Sequence, residues 1–131
     1  MLQLFKRTQP PAARFLDGQV GYAIGDIHGR ADRLLEMVAL LEGRAAADTR
    51  SGVAPVVIFL GDYVDRGPDS RGVIERVMAL EAMFDDSTTI EVISLMGNHE
   101  QMMLDAYDAR DDAGNWWSQG GAECADSYAT G

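Results

Sequence analysis

Three short polar stretches, GDIHG, GDYVDRG and GNHE, carry side chains that could together bind metal ions and a phosphate group. Each stretch follows an apolar run, and equal intervals separate Asp26 from Asp62 and Asp62 from Asn98. The spacing indicates that one structural position, the end of a buried strand, is used three times. Because the carboxyl ends of neighbouring parallel strands meet at one crevice, we expect Asp62 to lie near the polar residues of the other two stretches.

The residues that meet there are typical metal ligands. Asp26 and His28 lie two positions apart, so both can face one side of an extended segment and offer a carboxylate oxygen and an imidazole nitrogen. The two oxygens of Asp62 can bridge two cations, and Asn98 offers an amide oxygen to the second. Mixed oxygen and nitrogen donors without a thiolate suit Mn, with Fe, Zn or Co as alternatives. Two such ions about 3.5–4 Å apart would activate a water for in-line attack on phosphorus.

Three further residues suit the handling of a phosphate ester. Arg66 offers a planar guanidinium that matches phosphate oxygens. His99 could protonate a leaving group, and Asp65 could hold the imidazole in the required tautomer. Both histidines of the chain fall within the polar stretches, which favours a functional role for them. Glu100, in contrast, is interpreted as a residue that complements the positive end of a helix.

The segments around these stretches predict a strand followed by a helix, three times in succession. VGYAIG, PVVIFLG and TIEVISLMG have the length and composition of strands, and the second is typical of a strand buried on both faces of a parallel sheet. RLLEMVALLEG, RGVIERVMALEAMF and HEQMMLDAYDA have helical spacing. Gly43 is well placed to end the first helix, with a loop from there to Gly52. The predicted fold class is α/β, a βαβαβ sheet with flanking helices.

The composition is typical of one soluble domain with an acidic surface. With 11 basic and 21 acidic residues the net charge is -10, so the surface repels polyanions and nucleic acid is not expected as a partner. A single cysteine, Cys124, excludes an intrachain disulfide and fits a reducing compartment. Since no apolar stretch resembles a secretory signal or a membrane span, we expect a cytoplasmic protein without a membrane partner. A flexible lead-in is predicted for residues 1–17 and one domain for residues 18–131.

GDIHG, GDYVDRG and GNHE, in this order, resemble the three signature blocks of the calcineurin-like metallophosphoesterases, in particular the serine/threonine phosphoprotein phosphatase branch. The tail WWSQGGAECADSY is similar to the segment that follows GNHE in small bacterial members. The resemblance implies a metallophosphoesterase-type fold, of which this chain is the N-terminal part of a two-sheet α/β sandwich. It also implies the following roles: the first metal bound by Asp26, His28 and Asp62, the second by Asp62 and Asn98, the phosphate by Arg66, and an acid dyad of His99 and Asp65.

The resemblance leaves three functions open. Enzymes that split diadenosine tetraphosphate symmetrically look similar, but they often lack the acid of the DRG block and end the third block in Asp. Here Asp65 and Glu100 are both present, which favours a phosphorylated protein or a small phosphoester as substrate and a serine/threonine protein phosphatase as the activity. The third alternative is a non-catalytic remnant, or truncated module, that keeps the phosphate-binding turns without the chemistry.

The resemblance also implies a second half of the domain that this sequence does not contain. Relatives of this type take two further histidine ligands, a second phosphate-binding arginine and the second sheet from that half, whereas this chain has no third histidine. We therefore expect the C-terminal half to be absent, one metal to bind weakly, and turnover to be slow or absent. We also expect a sheet face without its partner, which favours self-association.

Overall fold

The computed structural model describes residues 14–85, 90–109 and 113–129. The elements in chain order are β1 (Gln19–Ile24), α1 (Ala31–Arg50), β2 (Ala54–Phe59), α2 (Ser70–Asp85), β3 (Glu91–Ser94), α3 (Asn98–Tyr107), α4 (Ala113–Trp116), a wide helical turn (Trp117–Gly121) and α5 (Ala122–Ala129). The predicted order of three strands alternating with three helices is confirmed from β1 to α3, and the helical segment from α4 to α5 is an addition that the sequence pattern did not predict. Most of the predicted lead-in, residues 1–13, lies outside the described residues. Within the described part of the chain, no helix has both the length and the apolar character needed to cross a membrane.

The three strands form one parallel sheet in the order β1-β2-β3. The central strand, β2, pairs with β1 along its whole length and with β3 over its last four residues, Val56 to Phe59. Because all three strands run in the same direction, the turns that follow them lie side by side at one edge of the sheet. The α/β fold class is thus confirmed, and the sheet places the three polar stretches next to one another.

The hydrophobic core lies between one face of the sheet and the first two helices. Alternate residues of β2, Val57 and Phe59, face this core, as expected for a strand. The buried residues of α1 and α2 recur four positions apart and therefore lie on one face of each helix, towards the core. They are Leu34 and Val38 in α1, and Val73 and Val77 in α2. The core then continues beneath the functional turns, where the buried side chains are Ile27, Tyr63, Val64 and Cys124. The inner side of the turns therefore packs against apolar side chains and is shielded from solvent.

The opposite face of the sheet is only partly covered by the described residues. Ala23, Ile58 and Ile93 are neighbours across the three strands on this face, and Ala23 and Ile93 are both exposed. Leu60 and Leu95, which follow β2 and β3, are about half exposed, at 50% and 48%. This is the type of apolar sheet face that was expected to lack a partner.

Helix α1 is longer than the sequence pattern indicated. The prediction that Gly43 ends this helix is wrong, because the helix continues to Arg50. The residues after Gly43 include three successive alanines, and Ala45 is buried at 2% exposure. Alanine propensity and this packing outweigh the cost of about 1 kcal/mol for a glycine inside a helix. The helix ends instead before Gly52, which has a φ of +80°.

Candidate metal and phosphate site

Backbone hydrogen bonds hold the three turns together around Asp62. The N–H groups of Ile27 and His28 donate to the Asp62 carbonyl oxygen, with N···O distances of 3.0 and 2.9 Å. The N–H of His99 donates to Oδ1 of the Asp62 side chain at 3.0 Å. One residue of the central turn therefore joins the turn after β1 to the start of α3.

Glu100 fixes the shape of the central turn from below. Its carboxylate is buried, with 8% of the residue exposed, and accepts hydrogen bonds from four backbone N–H groups. Oε1 accepts from Tyr63 at 2.7 Å and Val64 at 3.2 Å, and Oε2 accepts from Asp62 at 2.8 Å and Gly97 at 2.9 Å. The interpretation of Glu100 as a helix-terminus residue accounts for the Gly97 contact alone. Its main role in the structure is to hold the turn that carries Asp62.

The turns store backbone strain at the positions of the predicted site residues. His28, Asp62, Asp65 and Arg66 have φ values of 45°, 56°, 72° and 65°, a region that side chains other than glycine rarely adopt. Strained backbone of this kind clusters at functional sites, where the surrounding structure enforces it. A glycine is required beside them, because a Cβ at Gly67 would lie 2.0 Å from the His28 carbonyl oxygen.

His28 presents one nitrogen of its ring to the site. Its Nδ1 lies 2.9 Å from the Val64 carbonyl oxygen, and since a carbonyl can only accept, Nδ1 carries the proton. The lone pair is therefore on Nε2, which lies 3.7 Å from Oδ2 of Asp26. A backbone carbonyl that fixes one ring nitrogen in this way is the usual support of a metal-binding histidine. The carboxylate of Asp26 and the ring of His28 lie side by side, as their spacing in the sequence predicted.

His99 is fixed in the same tautomer by a carboxylate. Its Nδ1 lies 2.7 Å from Oδ2 of Asp65, and both residues are buried, at 3% and 0% exposure. The guanidinium of Arg66 then contacts both imidazoles, with 3.2 Å from Nη1 to Nε2 of His28 and 3.1 Å from Nη2 to Nε2 of His99. Since a guanidinium can only donate, both Nε2 lone pairs point to the same place.

The donor set fits a divalent transition metal. Ligand atoms of His28, Asp62 and His99 lie within 4.8 Å of one another, and two imidazole nitrogens with a carboxylate oxygen suit Mn, Fe or Zn. This group includes His99, which the sequence assigned to proton transfer, and does not include Asp26, whose carboxylate lies beside His28 instead. Asn98 is the first residue of α3 and is exposed next to His99.

The C-terminal helical segment contributes contacts that the sequence reasoning missed. The indole N–H of Trp116 reaches the Asp65 carboxylate, with 3.0 Å to each oxygen. The carbonyl oxygen of Gly120 accepts from the backbone N–H of Arg66 at 3.1 Å. The only signal in the sequence was the similarity of WWSQGG to a segment of related enzymes.

Burial raises the pKa of the Cys124 thiol, so this residue is a packing group of the core rather than a nucleophile.

Comparison with known proteins agrees with this geometry. The family model described as calcineurin-like phosphoesterase matches residues 22–128. Serine/threonine-protein phosphatase 2 of Salmonella typhimurium is 33% identical over 106 residues, which cover 81% of this chain and 40% of that protein. Serine/threonine-protein phosphatase SIT4 of Candida albicans is 35% identical over 80 residues, which cover 61% of this chain and 23% of that protein. The chain thus spans less than half the length of either relative, and it belongs to the calcineurin-like phosphoesterase family.

Proposed function

We propose that this chain carries the catalytic turns of a metal-dependent phosphoric ester hydrolase whose substrates are proteins phosphorylated on serine or threonine. The observation that carries the proposal is the convergence of two imidazole Nε2 atoms, the Asp62 carboxylate and the Arg66 guanidinium on one place. Both named relatives are serine/threonine-protein phosphatases, which supports the same substrate class here.

The metal ligands in this proposal follow the sequence prediction. Asp26, His28 and Asp62 would hold the first of two divalent ions, and Asp62 with Asn98 would contribute to the second, with Mn as the preferred metal. When bound, such ions activate a water for attack and offset the negative charge of the phosphate. The tautomer of His28 supports this assignment, because Nε2 is left as the ring's ligand atom.

The remaining side chains have roles in the hydrolysis itself. As the water oxygen bonds to phosphorus, the water gives up one proton to solvent, and the bond from phosphorus to the ester oxygen breaks with its electron pair going to that oxygen. The leaving oxygen takes a proton from the imidazolium form of His99, which the buried Asp65 carboxylate stabilises. Solvent later returns a proton to His99, so that the imidazolium is restored. Arg66 would turn from the imidazoles to the phosphate oxygens. The products are an alcohol and inorganic phosphate.

The acid dyad favours phosphoserine and phosphothreonine over a dinucleotide as substrate. A serine or threonine side chain leaves as an alkoxide, a strong base that departs slowly unless it is protonated. Diadenosine tetraphosphate, the alternative substrate, splits at an anhydride bond whose leaving group is a much weaker base. Asp65 and His99, held 2.7 Å apart in the core, supply the proton that the alkoxide requires. A non-catalytic phosphate-binding module would have no use for such a dyad.

The substrate class is tested with the pure chain and Mn²⁺ over several hours, by measuring phosphate release from a phosphoserine peptide and ADP formation from diadenosine tetraphosphate. We expect slow release from a phosphoserine peptide, below the ordinary range of about 1–10³ per second, that stops when the metal is chelated. Faster cleavage of diadenosine tetraphosphate would favour the dinucleotide hydrolase. A folded chain that binds Mn²⁺ but cleaves neither compound would favour the non-catalytic alternative.

His99 has two possible functions that a change of leaving group separates. If His99 is the acid, His99→Asn should slow hydrolysis of phenyl phosphate by about 10²-fold and hydrolysis of p-nitrophenyl phosphate much less, since nitrophenolate leaves without a proton. The measurement is the ratio of the two rates at saturating Mn²⁺. Equal losses for both esters, with weaker Mn²⁺ binding, would show that His99 is a metal ligand instead.

We also propose a cellular location and a mode of association for this protein. The single cysteine supports a cytoplasmic location, and the net charge of -10 supports the absence of a nucleic-acid partner. The exposed sheet face around Ile93 and Leu95 supports self-association of the isolated chain through apolar contact. Sedimentation velocity tests this point, and a monomer at high protein concentration would contradict it.

A further inference from the structure

The Asp65 carboxylate has an environment that the dyad alone does not explain. Its exposure is 0%, and a buried carboxylate is costly unless donors satisfy its oxygens. One donor is His99, whose Nδ1 lies 2.7 Å from Oδ2. A second donor is Trp116, whose indole Nε1 lies 3.0 Å from both carboxylate oxygens, and the thiol of Cys124 also reaches this carboxylate. Trp116 therefore approaches the carboxylate symmetrically, while His99 bonds to one oxygen.

We propose that Trp116 is a positioning residue of the dyad, whose indole N–H holds the Asp65 carboxylate in the orientation that keeps His99 in its Nδ1–H tautomer. This proposal rests on the proposed function for its catalytic consequence. A carboxylate with one partner can rotate about its own bond and exchange its oxygens, whereas a second donor fixes the plane. An indole N–H can only donate and carries no charge, so it orients the carboxylate without competing electrostatically with the imidazolium.

The main chain around Trp116 is shaped to bring the indole to this place. Gly120 has a φ of +105° and produces the kink before α5. A Cβ at Gly120 would lie 2.5 Å from the backbone nitrogen of Arg66, and a Cβ at Gly121 would lie 2.6 Å from the Trp116 ring. The two glycines therefore allow the helical segment to pack directly against the loop that carries Asp65 and Arg66. α5 is anchored in turn by Cys124, which is 1% exposed in the core.

Trp117 offers a matched control for substitution. It is adjacent in sequence and its ring lies 5.3 Å from that of Trp116, but 47% of its surface is exposed. Trp116→Phe removes the indole N–H and keeps an aromatic ring, while Trp117→Phe makes the same chemical change outside the dyad. Asp65→Asn examines the contact from the other side and leaves Trp116 itself unchanged.

The direct readout is nitrogen NMR of the His99 ring and the indole groups at one fixed pH, without metal. In the native chain we expect the Nδ1–H tautomer of His99 and slow hydrogen exchange at the Trp116 indole. Trp116→Phe should give a mixture of His99 tautomers, Trp117→Phe should not, and Asp65→Asn should make the Trp116 indole exchange at least tenfold faster. An unchanged tautomer in a folded Trp116→Phe chain, or an indole indifferent to Asp65→Asn, would overturn the proposal.

A kinetic readout tests the catalytic consequence. Trp116→Phe should lower kcat for phenyl phosphate about tenfold, leave KM unchanged, and affect p-nitrophenyl phosphate less. A uniform loss for both esters would mean that Trp116 has only a structural role and would overturn the proposal. If the native chain hydrolyses neither ester, the proposed function fails, while the NMR result still decides whether Trp116 orients the dyad.

Discussion

Replacing Asp62 by asparagine is expected to remove metal-dependent hydrolysis while leaving the chain folded. The carboxylate of Asp62 lies among the candidate ligand atoms with those of His28 and His99, so loss of its charge weakens metal binding directly. Residues that only support the metal ligands typically contribute 10–100-fold to metal affinity or activity. For Asp62, a candidate ligand itself, we therefore expect the rate of hydrolysis to fall by about 100-fold or more. The measurement is phosphate release with Mn²⁺, combined with Mn²⁺ affinity.

The asparagine variant should retain the fold for two reasons. Its amide oxygen can still accept the hydrogen bond from the His99 backbone N–H, and asparagine tolerates the φ of 56° at Asp62 better than most residues. Asp69→Asn is the matched control, because Asp69 is exposed in the same loop as Asp62 and its Oδ1 accepts from the backbone N–H of Gly72, in the first turn of α2, at 2.8 Å. Full activity in Asp62→Asn, or an equal loss in Asp69→Asn, would contradict the assignment of Asp62.

Glu100→Gln should destabilise the chain by about 3–6 kcal/mol. The native carboxylate accepts four backbone N–H bonds, two at each oxygen. An amide turns one of these oxygens into an NH₂ group that faces two N–H donors, so two bonds to a charged acceptor are lost. Each such bond contributes about 1.5–3 kcal/mol. The free energy of unfolding, measured by urea denaturation, tests the prediction.

Glu75→Gln provides the comparison for this substitution. Glu75 lies on the surface of α2, where its side chain is 63% exposed and pairs with Arg71 at 2.8 Å. Exposed pairs of this type contribute about 0.2–1 kcal/mol, so the control should lose less than about 1 kcal/mol. An equally small effect for Glu100→Gln would mean that the turn keeps its shape without the carboxylate.

The order of the three strands and the first three helices could be predicted from the sequence because the signals for them are local. Apolar runs of strand length, helical spacing and glycine-bordered turns each act within a few residues, and a parallel sheet then brings the strand ends together. The extension of α1 beyond Gly43 was missed for a related reason. A glycine is a local stop signal, but the burial of Ala45 depends on packing against elements far along the chain.

The contacts that shape the site were less accessible, since they join distant residues. Glu100 reaches back to Tyr63 and Val64, and Trp116 reaches back to Asp65. No spacing rule predicts such pairs, because the same residue types usually serve as a helix cap or as core packing. His99 marks a different limit. Its position was evident from the sequence, whereas its role depends on the groups that meet both ring nitrogens.

The metal site is tested most directly by titrating Mn²⁺ into the native chain and into His28→Asn, with calorimetry as the measurement. Asparagine tolerates the left-handed backbone at this position, where φ is 45°, but it has no counterpart to Nε2. If the three turns form one metal site, the native chain should bind Mn²⁺ saturably and His28→Asn should bind at least about tenfold more weakly. Equal binding by two folded proteins would contradict the existence of this site.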